Sequence, residues 1–330
     1  MGLEIGVGEK FASWVFCRCD LRVPDGLSAT DVGKGLWVST GDELPFKLDI
    51  WWRSQLGDIV ADHLEKESSF CLTAKQPSKD PRTTDAEIAF LERRVWFFAW
   101  GVVLSVGTPQ FDLARVVSGG RDEKGFKLKL GTPEHFVRSG GFPRPTAQTE
   151  DFDRAARFTE RAQSMEAERE SDAQLYWRAF SGLDAFQTAV KSPLAHVKLH
   201  QFVRAIESFL PSKASGELAF SEYCKNLCPA NEAELREMYR LRNLSEHHRP
   251  FAHAFERVSD PAKTADRRLR QAELLCRELF RRFFADLSEF RIHFRDDSSL
   301  KRFWKDTSTL ERAWGAKLDL NVAPEVERAH

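Results

Sequence analysis

The apolar residues of this chain change their period near residue 150, and that change restricts the folds open to it. Before it, hydrophobic residues alternate with polar ones or run continuously between glycines and prolines, as in strands and turns. After it they recur every three or four residues, as in helices, and glycine and proline retreat to the joints. The expected class is α+β. A strand-rich N-terminal domain covers 1–145, a connecting helix 146–170, an all-α bundle 171–305 and a C-terminal tail 306–330. A length of 330 residues suits two domains of about 100 to 200 residues each.

In the first part, "VFCRCDLRV" sets Val15, Cys17, Cys19, Leu21 and Val23 against Arg18, Asp20 and Arg22, a half-buried strand. "RRVWFFAWGVVLSV" is more continuously apolar and predicts a central strand. "ARVVSGGRDEKGFKLKL" predicts a hairpin with Gly119, Gly120 and Gly125 at the turn. "DIWWRSQLGDIVADHLEK" reads as one short helix and "LTAKQPSKDPRTTD" as a loop. Trp51, Trp52, Trp96 and Trp100 suit a core, with stacking on bases as the alternative. Nothing here specifies a reaction, and the domain reads as a sensor or targeting module.

In the second part, Ser171 with Gln174 resembles a capping box, followed by Leu175, Ala179, Leu183, Phe186 and Val190 at helical spacing. Ser192 and Pro193 open a second helix with an apolar stripe of Leu199, Phe202, Val203, Ile206, Phe209 and Leu210. Its other face carries His196, His200, Arg204 and Glu207. Asn231 with Glu234 opens a third. Asp260 and Pro261 open the last, whose inward residues run from Leu269 to Leu287 and Phe290. Four antiparallel helices of this kind make a bundle.

A formal net charge of -1 means that any attraction to nucleic acid must come from a local patch. The chain does not open with a basic and then apolar leader, and no segment approaches about eighteen uncharged apolar residues, so a cytoplasmic protein without a membrane partner is expected. Six cysteines suit reduced core thiols, and the spacing of Cys224 and Cys228 matches no standard zinc ribbon. No metal and no cofactor are expected, although His196, His200 and Glu207 leave a metal-dependent enzyme as a third reading.

The stretch "RLRNLSEHH" sets Arg242 and Asn243 ahead of His247 and His248. Together with "LHQFVRAIESFL" it resembles the HEPN superfamily over roughly residues 171 to 290, with ApeA-like HEPN domains as the nearest subgroup. The resemblance implies a four-helix bundle and a metal-independent endoribonuclease working as a homodimer, in which two motifs line one cleft. It also implies a toxin or antiphage-defence effector, restrained or triggered by a protein partner.

The chemistry is consistent with that implication. RNA carries its own nucleophile, the 2'-hydroxyl, beside the scissile phosphate. Histidine moves protons near neutrality, and arginine offers a permanent charge and a fork of donors to phosphate oxygens. Arg242 would then stabilise the phosphate, His247 transfer protons, and Asn243 position them. Arg240 with His247 and Arg242 with His248 also fit the spacing. On a continuous helix Arg242 lies about 140 degrees from His247, whereas Arg240 lies nearly on its face. Arg242 is preferred because Asn243 stands where the family often has a polar residue. Glu207 is a candidate to hold either arginine. Arg277, Arg281 and Arg282 on the last helix are candidates to follow an RNA backbone. The rival reading is a catalytically silent bundle that binds RNA or protein and dimerises.

Overall fold

The computed structural model describes residues 3–23, 30–40, 44–78, 85–132, 136–138, 144–212, 216–246 and 260–321. The chain forms two units, an antiparallel sheet with helices and then a mostly helical region, so the α+β class holds.

The first unit is built around β1 (Glu9–Cys17), a strand buried on both faces. It pairs antiparallel with β4 (Ser68–Pro77) and with β5 (Leu113–Asp122), so that Trp14 lies opposite both Leu72 and Val116. With β2 (Thr30–Asp31), β3 (Leu36–Thr40) and β6 (Gly125–Gly131) the sheet has six strands in the order β2-β3-β4-β1-β5-β6.

Because side chains alternate along a strand, Phe11, Val15 and Cys17 share one face. They pack there with Phe46 and with Ala61 and Leu64 of α2 (Asp58–Lys66). Trp14 and Phe16 take the other face, where Phe16 stacks on Phe70 at 4.5 Å. Lys10, only 1% exposed, also points there and pairs with Asp85 and Glu87 at the start of α3 (Ala86–Val106).

Several sequence expectations change here. The segment 93–106 is not a strand but most of α3, whose N-cap Asp85 accepts from the Ile88 N–H. Helix α3 covers the sheet on one side, and α4 (Thr149–Ala167) packs against its outer side at Gly101. Buried nearly all round, the helix carries apolar residues over most of its circumference, which erases the period that identifies a helix.

The strand 15–23 stops at Cys17, because Arg18 turns to φ +48 and hydrogen-bonds Glu67 instead. Cys19 therefore leaves the sheet. The helix over 49–66 breaks at Gly57, φ +77, into α1 (Ile50–Leu56) and α2. Part of the expected loop 72–85 continues β4, with Leu72 and Ala74 fully buried, while 79–84 lie outside the described residues. The hairpin β5–β6 forms, but its turn is at Glu123 and Lys124, and Gly119 and Gly120 sit within the strand.

The second unit takes in Val137 and Arg138 and then the chain from Ser164, near the end of α4, so most of the expected connecting helix belongs with the sheet. Four of its helices are α5 (Ala173–Lys191), α6 (Ala195–Glu207), α7 (Glu217–Cys224) and α8 (Glu232–Glu246). They are followed by α9 (Pro261–Ala285). Helix α6 packs against α5, α8 and α9 through its buried Leu199, Phe202, Val203 and Ile206. The stripes anticipated on α5 and α9 are buried as well.

Asp260 caps α9 as expected. Asn231 does not cap α8: its Oδ1 accepts the Leu320 N–H at 2.9 Å. The last helix ends at Ala285, where Asp286 caps a new helix, α10 (Leu287–His293). Helices α11 (Asp297–Lys305) and α12 (Thr307–Trp314) follow. Residues 306–321 are thus no tail. Trp314, 2% exposed, joins Phe290, Phe303 and Trp304 in an aromatic cluster, and Trp304 Nε1 donates to the Phe209 carbonyl at 2.7 Å. No helix among the described residues is long and apolar enough to cross a membrane.

Candidate active site

Helix α8 opens with Glu232 and Glu234, carboxylates that suit the positive end of the helix dipole. Its inward face carries Leu235, Met238, Tyr239 and Leu241. Burying that face against α6 and α7 runs the last two turns of α8 along α6, from Glu207 at one end to His196 at the other. Arg242 lies at the edge of the buried face, with its side chain 15% exposed. Four groups gather round it.

Two come from neighbouring positions on α8. The Arg242 Nη1 donates to Asn243 Oδ1 at 3.0 Å and also to Glu246 Oε2, one turn further on. The third comes from α6: Arg242 Nη2 donates to Glu207 Oε2 at 3.4 Å. The fourth is Tyr239, whose ring lies 5.5 Å from the guanidinium carbon. Arg242 Nε is buried and has no hydrogen-bond partner among the described residues.

Glu207 lies beside Tyr239, whose hydroxyl accepts the Gly216 N–H at 2.8 Å. Burial raises the Glu207 carboxyl above its ordinary range, against the pull of Arg242. Burial likewise raises the Tyr239 phenol, which stays protonated and available as a donor. His200 lies seven residues before Glu207 on α6, nearly on the same face. Burial first, then the charge of Arg242, lowers its pKa, so the imidazole is neutral at pH 7. Its neighbour His196 is exposed, and the His196 carbonyl accepts from Ser245 Oγ at 3.4 Å.

The structure therefore brings together Arg242, Asn243 and Glu207. Tyr239 and Glu246 complete the group and were not singled out by sequence reasoning. Their signal is positional, because residues three before and four after an arginine on a helix share its side. Arg240 stands apart: its side chain is 53% exposed and approaches Glu237 at 3.7 Å. Glu237 also holds Arg268. His247 and His248 lie outside the described residues.

The basic residues of α9 are differently placed. Arg281 forks onto Glu278, with its closest approach at 2.6 Å. Arg282, 12% exposed, bonds Glu278 and the Trp314 carbonyl, so its guanidinium is turned inward. Arg277 is half-buried on the same helix. Among the tryptophans, Trp100 is core, Trp52 Nε1 donates to the Phe126 carbonyl at 3.2 Å, and Trp96 lies under the Arg93 guanidinium at 4.2 Å. Trp51 is 59% exposed.

Among the described residues no group of three or more His, Cys, Asp and Glu side chains is arranged to hold a metal ion. His196, His200 and Glu207 do not form such a group. What the site offers is a guanidinium bonded from a second helix by the half-buried Glu207 carboxylate, with His200 on the same helix as that carboxylate. Such a group can bind an oxyanion through its remaining donors. No protein-family model, curated protein or solved structure matches the chain.

Proposed function

We propose that the chain is a metal-independent endoribonuclease of the HEPN type, with α5, α6, α8 and α9 as the four helices of its bundle. One observation carries the reading: Arg242, the arginine of the motif, is braced by Glu207 from a second helix while Asn243 meets the same guanidinium. A structural surface arginine needs no such bracing, whereas a group that must stabilise a crowded phosphorus centre gains from being held in place before the substrate arrives.

In this reading the 2'-hydroxyl of RNA attacks the adjacent phosphorus, and the bond from phosphorus to the 5'-oxygen of the next nucleotide breaks. A 2',3'-cyclic phosphate and a free 5'-hydroxyl remain. The attacking hydroxyl loses a proton and the leaving oxygen gains one, so two proton transfers are required. His247 supplies one, and the motif of a second copy in a homodimer supplies the other. Uncontrolled RNA cleavage harms its own cell, which fits a toxin or antiphage effector restrained by the first unit or by a protein partner.

The test is cleavage of total RNA by the purified protein in EDTA, with molecular mass measured on the same samples. Arg242→Ala and His247→Ala are each expected to lower cleavage by at least about a hundredfold while the folded dimer persists. Wild-type cleavage that either variant retains in full sinks the reading.

A second reading rests on the same contacts. Glu207 and Glu246 both neutralise Arg242, as in a structural ion pair, and this favours a catalytically silent module that binds RNA or protein. Arg242-dependent RNA binding without cleavage in the same assay would select it.

A further inference from the structure

The donors of Arg242 are unequally committed. A guanidinium carries five N–H groups, two on each Nη and one on Nε. The two on Nη1 go to Asn243 and Glu246, and one on Nη2 goes to Glu207. The Nε group meets no partner among the described residues.

The two carboxylates also differ in kind. Glu207 is half-buried, its side chain 24% exposed, and is carried by another helix beside Tyr239. Glu246 is 45% exposed and sits one turn along the same helix, so its only fixed attachment is its own flexible side chain. An exposed pair of this spacing contributes little and opens readily. Glu207 is built to stay, and Glu246 is able to leave.

We propose that Glu246 is a built-in competitor for the Arg242 guanidinium, closing the edge that a phosphodiester of the substrate strand must take. The inference rests on the reading of Arg242 as a phosphate-binding group. The site is then self-closed at rest. A strand that presents phosphates in series displaces Glu246, whereas a single free phosphate competes poorly with a tethered carboxylate, whose effective concentration is high. Glu246 thereby sets selectivity for polyanionic strands over small anions. Glu207, remaining behind the guanidinium, keeps Arg242 aimed once Glu246 has moved.

The test uses the full chain and a 2'-O-methyl oligoribonucleotide, which cannot be cleaved by 2'-hydroxyl attack. Affinity is read by fluorescence anisotropy at fixed ionic strength for wild type, Glu246→Gln and Glu234→Gln. Glu234 stands in the first turn of α8, so its variant makes the same change of charge far from Arg242.

Glu246→Gln is expected to bind about fivefold more tightly, from removal of one exposed ion pair. Glu234→Gln should stay near wild type, and the gain should vanish when Arg242→Ala is added. Inorganic phosphate as competitor should displace the oligonucleotide from Glu246→Gln at lower concentration than from wild type. No gain in Glu246→Gln, an equal gain in Glu234→Gln, or a gain that survives loss of Arg242 overturns the proposal, as does an absence of binding by all variants. Cleavage of unmodified RNA by the same preparations separates the two ideas. Arg242-dependent binding tightened by Glu246→Gln without any cleavage keeps the competitor and removes the nuclease.

Discussion

Residue by residue, the candidate site depends on how differently two carboxylates can serve one arginine. Glu207 illustrates the cost of bracing. Its folded pKa is raised above the ordinary 4.5 because burial disfavours the charged form more than Arg242 restores it. The folded state therefore takes up a proton before the unfolded state as pH falls. The contribution of Glu207 to stability improves as pH drops from 7 toward 5 and is least favourable near neutrality and above. Glu207→Gln removes this dependence. Its stability at pH 7 is expected to equal or exceed that of wild type by less than about 1 kcal/mol, with the difference shrinking toward pH 5. Urea titrations at both pH values measure it, and a Glu207→Gln protein that loses ground to wild type at pH 7 refutes the account. Arg242, Asn243 and Glu207 were legible in the sequence as a motif and a facing carboxylate. Tyr239 and Glu246 were not. Their part depends on which rotamer Arg242 adopts when Glu207 approaches from another helix, and helical spacing alone does not say whether a neighbour is used.

At the level of elements, helix α3 shows how tertiary burial misleads a reading by pattern. Its Trp, Phe and Val residues favour strands by intrinsic preference, and sheet on one side and helix on the other suppress its polar face. The local sign that identifies it is the N-cap Asp85, which also neutralises Lys10 on β1. Asp85→Ala removes the cap and leaves the buried Lys10 with Glu87 alone. A loss of about 2–4 kcal/mol is expected by thermal or urea unfolding. Helix α4 can approach α3 closely because residue 101 lacks a side chain: a Cβ there would lie 2.8 Å from the Ala155 Cα and carbonyl oxygen. Gly101→Ala must push the two helices apart and is expected to cost about 1–3 kcal/mol, while Gly33→Ala, where a Cβ meets nothing within 4 Å but the backbone is at φ +95, should cost about 1 kcal/mol.

For the whole molecule, the clearest departure from sequence expectation is the C-terminal segment. Residues 306–321 look like a polar tail because only Leu310, Trp314, Leu318 and Leu320 are large and apolar, too few to reveal a period. Leu310, Trp314 and Leu320 are buried and Leu318 is half-buried, and Trp314 lies 4.7 Å from Phe290 in ring-to-ring distance. Trp314→Ala is expected to destabilise the second unit by about 3–5 kcal/mol, whereas Trp51→Ala, at an exposed position, should change stability by less than about 0.5 kcal/mol. Tryptophan-to-alanine variants compared in urea decide this. The sequence by itself determined the class of each half and the long amphipathic helices. Those features follow from local periodicity and end signals, which act within a few residues. The tertiary structure alone decided that α3 is a helix, that the last turns pack instead of trailing, and that of the two candidate arginines Glu207 meets Arg242 and not Arg240. Each depends on contacts between residues distant in the chain, where burial on more than one side or the approach of a partner replaces any local pattern.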